Sequence, residues 1–124
     1  MSSLEKFFQQ EVFAVAGSFR NKSKYAYKVL LDLIGRDKKA YPVNPKGGKV
    51  EGLNVYKSVK DIPRQVEAVS IVTPPAVTEK VVGDCAGAGV KYVWMQPGAE
   101  SEKAVQFCRD KGIEVVYRAC LLQM

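Results

Sequence analysis

Short apolar runs, each ended by glycine, proline or a polar turn, alternate along the chain with amphipathic stretches of helical period. Val12–Ala16 is continuously apolar and stops at Gly17. It reads as a strand buried on both faces, the habit of a parallel sheet. Further strands are expected at 40–43, 68–72, Tyr92–Met95 and 113–117, with Pro42 pointing to limited pairing or a strand end in the second. Between them, Ala26, Leu30, Leu33 and Ile34 recur at helical spacing, with Gly35 placed as the C-terminal cap. Thr73-Pro74-Pro75 stops the third strand and opens a helix carrying Val77, Val81, Val82 and Cys85 inward. Ser101 caps a helix that carries Val105 and Cys108 inward and ends at Gly112. Residues 3–10 suggest a short amphipathic helix, and 44–63 is irregular apart from a helical turn near Ser58.

This alternation predicts an α/β, three-layer, Rossmann-like domain with a five-stranded parallel sheet and right-handed crossovers. With the expected strands numbered along the chain, the order is 3-2-1-4-5, with a switch point between strands 1 and 4. The 124 residues, 47% of them hydrophobic, suit one domain over 1–124 with one core. No apolar run is long enough for a membrane helix, and the N-terminal residues lack the pattern of a secretory signal. The cysteines at 85, 108 and 120 have no metal-ligand spacing and read as reduced thiols of a cytoplasmic protein. The sequence contains no histidine, which removes Ser-His-Asp and Cys-His catalysis, the usual zinc sites and phosphohistidine chemistry.

Charge adds a location. The net charge is +6, yet residues 20–49 hold nine basic side chains against two acidic ones, while 50–124 are balanced. An anionic partner or a solvated basic face accounts for such a surplus. Phe13, Tyr92 and Trp94 lie on expected strands and read as core. Nucleic-acid modules interleave exposed aromatic and basic residues on one face; Tyr25 and Tyr27, among Lys24 and Lys28, leave that reading open as the less favoured one.

Ligands of open α/β sheets bind outside the carboxyl ends of the strands. The residues that follow the strands are therefore the candidates: Gly17, Ser18, Phe19 and Arg20; Asn44, Pro45 and Lys46; Thr73, Pro74 and Pro75; Gln96, Pro97 and Gly98; and, after the fifth strand, Cys120. A helix beginning after Gly17 offers free N–H groups to a phosphate. The segment has one glycine where a dinucleotide fingerprint has three, and Asn44 and Lys46 stand where a nicotinamide enzyme places an acid, so NAD is disfavoured and NADP less so. Lys46, between Pro45 and Gly47-Gly48, is placed to reach a phosphate as a point charge, or is an ordinary exposed loop lysine. Cys85 and Cys108 read as inert core thiols; Cys120 is either structural or a reactive thiol near the ligand edge.

Taken in order, Ala16-Gly17-Ser18, Tyr41-Pro42-Val43-Asn44-Pro45, Glu51-Gly52, Tyr56-Lys57-Ser58 with Asp61-Ile62-Pro63, Thr73-Pro74-Pro75, Trp94-Met95-Gln96-Pro97-Gly98-Ala99 and Cys120 carry a resemblance. From about Val12 to Leu122 the chain resembles the small stand-alone CoA-binding proteins, whose domain also forms the CoA-binding part of the succinyl-CoA synthetase α-subunit. The resemblance implies coenzyme A along the strand ends, phosphates at Gly17-Ser18, a phosphate-binding role for Lys46, and Thr73-Pro74-Pro75 with Gln96-Pro97-Gly98 beside the pantetheine. The chain departs from the family at Gly17-Ser18-Phe19, where Gly-Ala-Ser is frequent, at Ala26, where glycine is frequent, and in the spacing of Arg118 from Cys120. The synthetases also use a phosphorylated histidine and further domains.

The leading expectation is a non-catalytic protein that binds CoA or an acyl-CoA, with no nucleic acid or membrane as partner and its protein partner unknown. An NADP-dependent enzyme and a protein-interaction module that kept the fold are the alternatives.

Overall fold

The structure is a computed structural model that describes residues 2–21, 24–119 and 121–123. Helix α1 (Ser3–Gln9) begins with a capping box: the Ser2 hydroxyl accepts from the Glu5 N–H, and the Glu5 carboxylate accepts from the Ser2 N–H. The remaining helices are α2 (Tyr25–Gly35), α3 (Pro75–Gly87) and α4 (Glu102–Asp110). Strands β1 (Val12–Ala16), β2 (Lys39–Val43), β5 (Ala68–Ile71), β6 (Tyr92–Met95) and β7 (Glu114–Val116) form one sheet in the order β2-β1-β5-β6-β7, with every pairing parallel. Strands β3 (Lys49–Val50) and β4 (Leu53–Asn54) make a separate antiparallel hairpin. The Tyr27 hydroxyl of α2 donates to Glu51 in its turn, and that contact holds the phenol above its ordinary pKa.

The expected α/β class and five-stranded parallel sheet are present. The expected order is corrected: with those strands numbered along the chain it is 2-1-3-4-5, not 3-2-1-4-5. Tyr56 is the reason. It forms a parallel bridge to Val43, donates its N–H to the Pro42 carbonyl (3.0 Å) and accepts from the Asn44 N–H (2.9 Å). The outer edge of β2, where a third strand was expected, is thus occupied by a single bridging residue. The run 68–71, buried along its whole length, instead lies beside β1 in the middle of the sheet. The switch point lies accordingly between β1 and β5. Pro42 suits the edge: its carbonyl points outward to Tyr56, so its ring nitrogen also faces away from β1 and no ladder bond is lost.

Alternate residues of the central strands feed two cores. Val12, Ala14, Ala16, Val69, Ile71, Val93 and Met95 pack with Val82 and Cys85 of α3 and Ala104, Val105 and Cys108 of α4. Phe13, Val15, Ala68 and Trp94 pack on the other face, with Phe7 of α1 and Ala26, Val29, Leu30 and Leu33 of α2. Steps away from the switch point in opposite directions, each with the right-handed crossover, put their helices on opposite faces of the sheet.

Smaller corrections follow from packing. The left-handed residue ending α2 is Asp37 (φ 62), not Gly35. Val77 is 41% exposed and so is not an inward residue of α3, while Val82 and Cys85 are fully buried. The fifth strand is shorter than 113–117 and the third ends at Ile71, although the Val72 N–H still donates to the Ala16 carbonyl (2.8 Å). Among the described residues, no helix is long and apolar enough to cross a membrane.

Candidate functional site

The carboxyl ends of β1, β2 and β5 open into one groove, because the switch point lets the loops after β1 and β5 diverge. Gly17 makes the β1 end tight. A Cβ there would lie 2.6 Å from the Ala26 Cβ and 2.9 Å from the Val72 carbonyl oxygen, so only glycine lets the first turn of α2 approach the strand ends. Asn44 then ties the two loops together. Its Nδ2 donates to the Gly17 carbonyl (2.6 Å), its Oδ1 accepts from the Lys46 N–H (2.9 Å), and its carbonyl accepts from the Gly47 N–H (2.9 Å). Gly47 (φ 65) and Gly48 (φ 96) turn the chain back toward Val55, whose N–H donates to the Gly48 carbonyl (2.8 Å). Lys46 is thereby presented at the groove from a loop fixed by side-chain and backbone bonds.

Two adjoining cavities make up the groove. The first, about 340 Å³, lies between the strand ends, residues 57–59 and one face of α3. Its walls are largely apolar, with Val43, Val59, Val72, Val77 and Val81, and it is also lined by Lys46, Lys57, Lys80 and Asp84. The second, about 740 Å³, is lined by Ser18, Phe19, Arg20, Asn44, residues 46–49, Val55 and Pro74. Ser18, Asn44, Lys46 and Pro74 border both. Five basic side chains, Arg20, Lys46, Lys49, Lys57 and Lys80, therefore face one acid, Asp84. Asp84 already has ion pairs to Lys60 and Lys80, while Arg20, Lys46, Lys49 and Lys57 have no acidic partner among the described residues. A cleft with that imbalance favours an anion, and its apolar half favours a flat or hydrocarbon group.

The groove thus gathers Gly17, Ser18, Phe19, Arg20, Asn44, Pro45, Lys46, Thr73 and Pro74 from the sequence-derived candidates. It does not gather the other described candidates. Pro75 opens α3 without lining either cavity. Gln96 is fully buried: its Nε2 donates to the Ser70 hydroxyl (3.0 Å), and its Oε1 accepts from the Leu121 N–H (2.9 Å) and the Tyr25 hydroxyl (3.2 Å). With the Trp94 indole N–H donating to the Ala119 carbonyl (2.8 Å), it fastens the C-terminal segment across the sheet. Pro97 and Gly98 form an exposed turn away from both cavities. Cys120 lies outside the described residues. Burial pushes the thiols of Cys85 and Cys108 up, the latter to about 11, as inert core thiols require.

Sequence reasoning missed Lys57, Val59, Lys80 and Asp84 as lining residues. Val77, Lys80, Val81 and Asp84 have the i, i+3, i+4, i+7 spacing of one helix face. Val77 and Val81, added to Val82 and Cys85, make the apolar face of α3 wider than one sheet contact needs, and that width was the available signal.

The model of a family described as CoA binding domain matches residues 11–124. The chain is 39% identical over 97 residues to the α subunit of an ADP-forming acetate–CoA ligase I from Pyrococcus furiosus, covering 73% of this chain and 21% of that protein. It is 36% identical over 129 residues to the α subunit of ligase II from the same organism, covering 95% and 28%. The chain therefore spans about a quarter of the length of these curated relatives. A solved structure of a conserved hypothetical protein from Pyrococcus furiosus superposes with a TM-score of 0.84 at 35% identity, covering 92% of this chain and 98% of that one. By the reach of the family model and the identity to these relatives, the chain belongs to the CoA binding domain family.

Proposed function

We propose that the groove binds coenzyme A or an acyl-CoA, and that this chain alone binds without catalysing a reaction. The observation that carries the reading is one groove, in a member of this family, that joins valine-lined walls to five basic side chains facing one acid. Coenzyme A combines the same two characters: a flat adenine, and phosphates on the ribose and in the diphosphate bridge.

In a Rossmann-type site the adenosine ribose lies at the end of β2. Asn44 and Lys46 occupy that place, so the base enters the apolar cavity between Val59, Val77 and Val81, and Lys46 with Lys57 meets the ribose phosphate. The diphosphate then follows Ser18 and Arg20 toward the second cavity. Binding without catalysis is favoured by the absence of histidine from the sequence, since a phosphohistidine step has no acceptor here.

Calorimetric titration tests the assignment. The wild-type chain binds CoA, and Lys46→Ala weakens it about tenfold, the equivalent of roughly 1.4 kcal/mol. Unchanged affinity in the variant removes Lys46 from this role, and absence of binding to the wild type contradicts the reading as a whole.

A further inference from the structure

The apolar cavity contains one feature that apolar burial does not require. Asp84 lines it one helical turn beyond Lys80 and Val81, and it is the sole acid lining either half of the groove among the described residues. Its side chain is 20% exposed, and three neighbours fix its orientation. Oδ2 accepts from the Ser58 hydroxyl (3.1 Å) and lies 3.8 Å from the Lys80 Nζ. Oδ1 lies 3.6 Å from the Lys60 Nζ, beyond hydrogen-bond reach, and accepts no hydrogen bond from a described residue. The lysine stems are largely solvated, 56% and 77% exposed, so they hold the carboxylate from the water side. One carboxylate oxygen of a residue that lines the valine-walled cavity is left with free acceptor capacity.

We infer that Asp84 makes the groove selective for a 6-amino purine over a 6-oxo purine. The inference rests on the CoA reading, which places the base in this cavity. A carboxylate only accepts hydrogen bonds. A 6-amino purine such as adenine presents an N–H donor from its exocyclic nitrogen. A 6-oxo purine such as hypoxanthine presents an acceptor oxygen there and carries its donor at ring N1 instead, so with the 6-position facing Asp84 two acceptors oppose each other, a bond is lost and a repulsion is gained. The apolar walls are indifferent to this exchange, since both bases are flat and of the same size. The discrimination falls on Asp84, oriented by Ser58.

The test is calorimetric titration of the full chain with CoA and with its deaminated counterpart, in which hypoxanthine replaces adenine, so that the 6-amino group becomes an oxygen and ring N1 gains a hydrogen. The wild type binds CoA about tenfold more tightly than the deaminated compound. Asp84→Asn, whose amide both donates and accepts, narrows the ratio to about threefold or less, chiefly by binding the deaminated compound better. Equal wild-type affinities for the two compounds overturn the role of Asp84 and leave CoA binding standing. An unchanged ratio in Asp84→Asn overturns it as well. Failure of the wild type to bind CoA removes both readings together.

Discussion

At the scale of single residues, Gly17 is defined by what lies against it. The Ala26 Cβ and the Val72 carbonyl leave no space for a methyl group, so Gly17→Ala forces α2 away from the strand ends. The expected cost is about 1–3 kcal/mol, the usual range for overpacking, read as a lower urea midpoint. Adding Ala26→Gly removes the nearest clash and recovers part of the loss; an unchanged midpoint in Gly17→Ala alone would show that the contact relaxes freely. This glycine therefore has a packing reason to be where it is, whatever the ligand. Gln96 is a second case in which a strand-end residue has structural work. Its amide bonds Ser70, Tyr25 and the Leu121 backbone at once, and its fully buried side chain lines neither cavity.

At the scale of elements, the start of the sheet is pinned from one loop. Glu67, just before β5, accepts from the N–H groups of Glu11 (2.8 Å) and Val12 (3.1 Å), and its own N–H donates to the Val12 carbonyl (2.9 Å). Those two donors hold its carboxyl below the ordinary 4.5, with Lys91 and Lys38 adding to the effect. A lowered carboxylate pKa contributes stability that is fully present above the unfolded value and is lost as pH falls through the folded one. Glu67→Gln should therefore be less stable than wild type near neutral pH by about 1 kcal/mol, with the gap closing below pH 4.5. Chemical denaturation at several pH values checks this; a gap that persists unchanged in acid would show that the charge is not what the N–H groups hold.

The elements also mark what the sequence made legible. The unbroken apolar run at 12–16 announced a central parallel strand, and the terminators after the first three expected strands located the groove through Gly17, Asn44, Lys46 and Pro74. The strand order was not legible because the outer neighbour of β2 is one residue, Tyr56, whose bridge leaves no periodic trace. The run at 68–71 did carry a clue: it is apolar apart from Ser70, and a strand largely apolar on both faces belongs in the middle of a sheet rather than at its edge. Half of the groove was hidden for a different reason. Val77 and Val81 look like core by spacing; the extra width they give the apolar face of α3 is the signal in the sequence, and the position of α3 shows the cavity they wall.

At the scale of the whole molecule, the positive surplus of residues 20–49 and the groove coincide through Arg20, Lys46 and Lys49. With acetate, CoA and a nucleoside triphosphate supplied, the pure chain should form no thioester, since the fold alone does not confer chemistry; phosphate release coupled to thioester formation would overturn that expectation. The most direct test of the account is titration of the wild-type chain with CoA, dephospho-CoA, NAD and NADP under one set of conditions. CoA carries a ribose phosphate that dephospho-CoA and NAD lack, and Lys46 and Lys57 are the groups assigned to it. The predicted order of falling affinity is CoA, dephospho-CoA, NAD, with the gap between the first two about tenfold and smaller at high salt. Equal binding of CoA and dephospho-CoA, or tighter binding of NADP than of CoA, would contradict it.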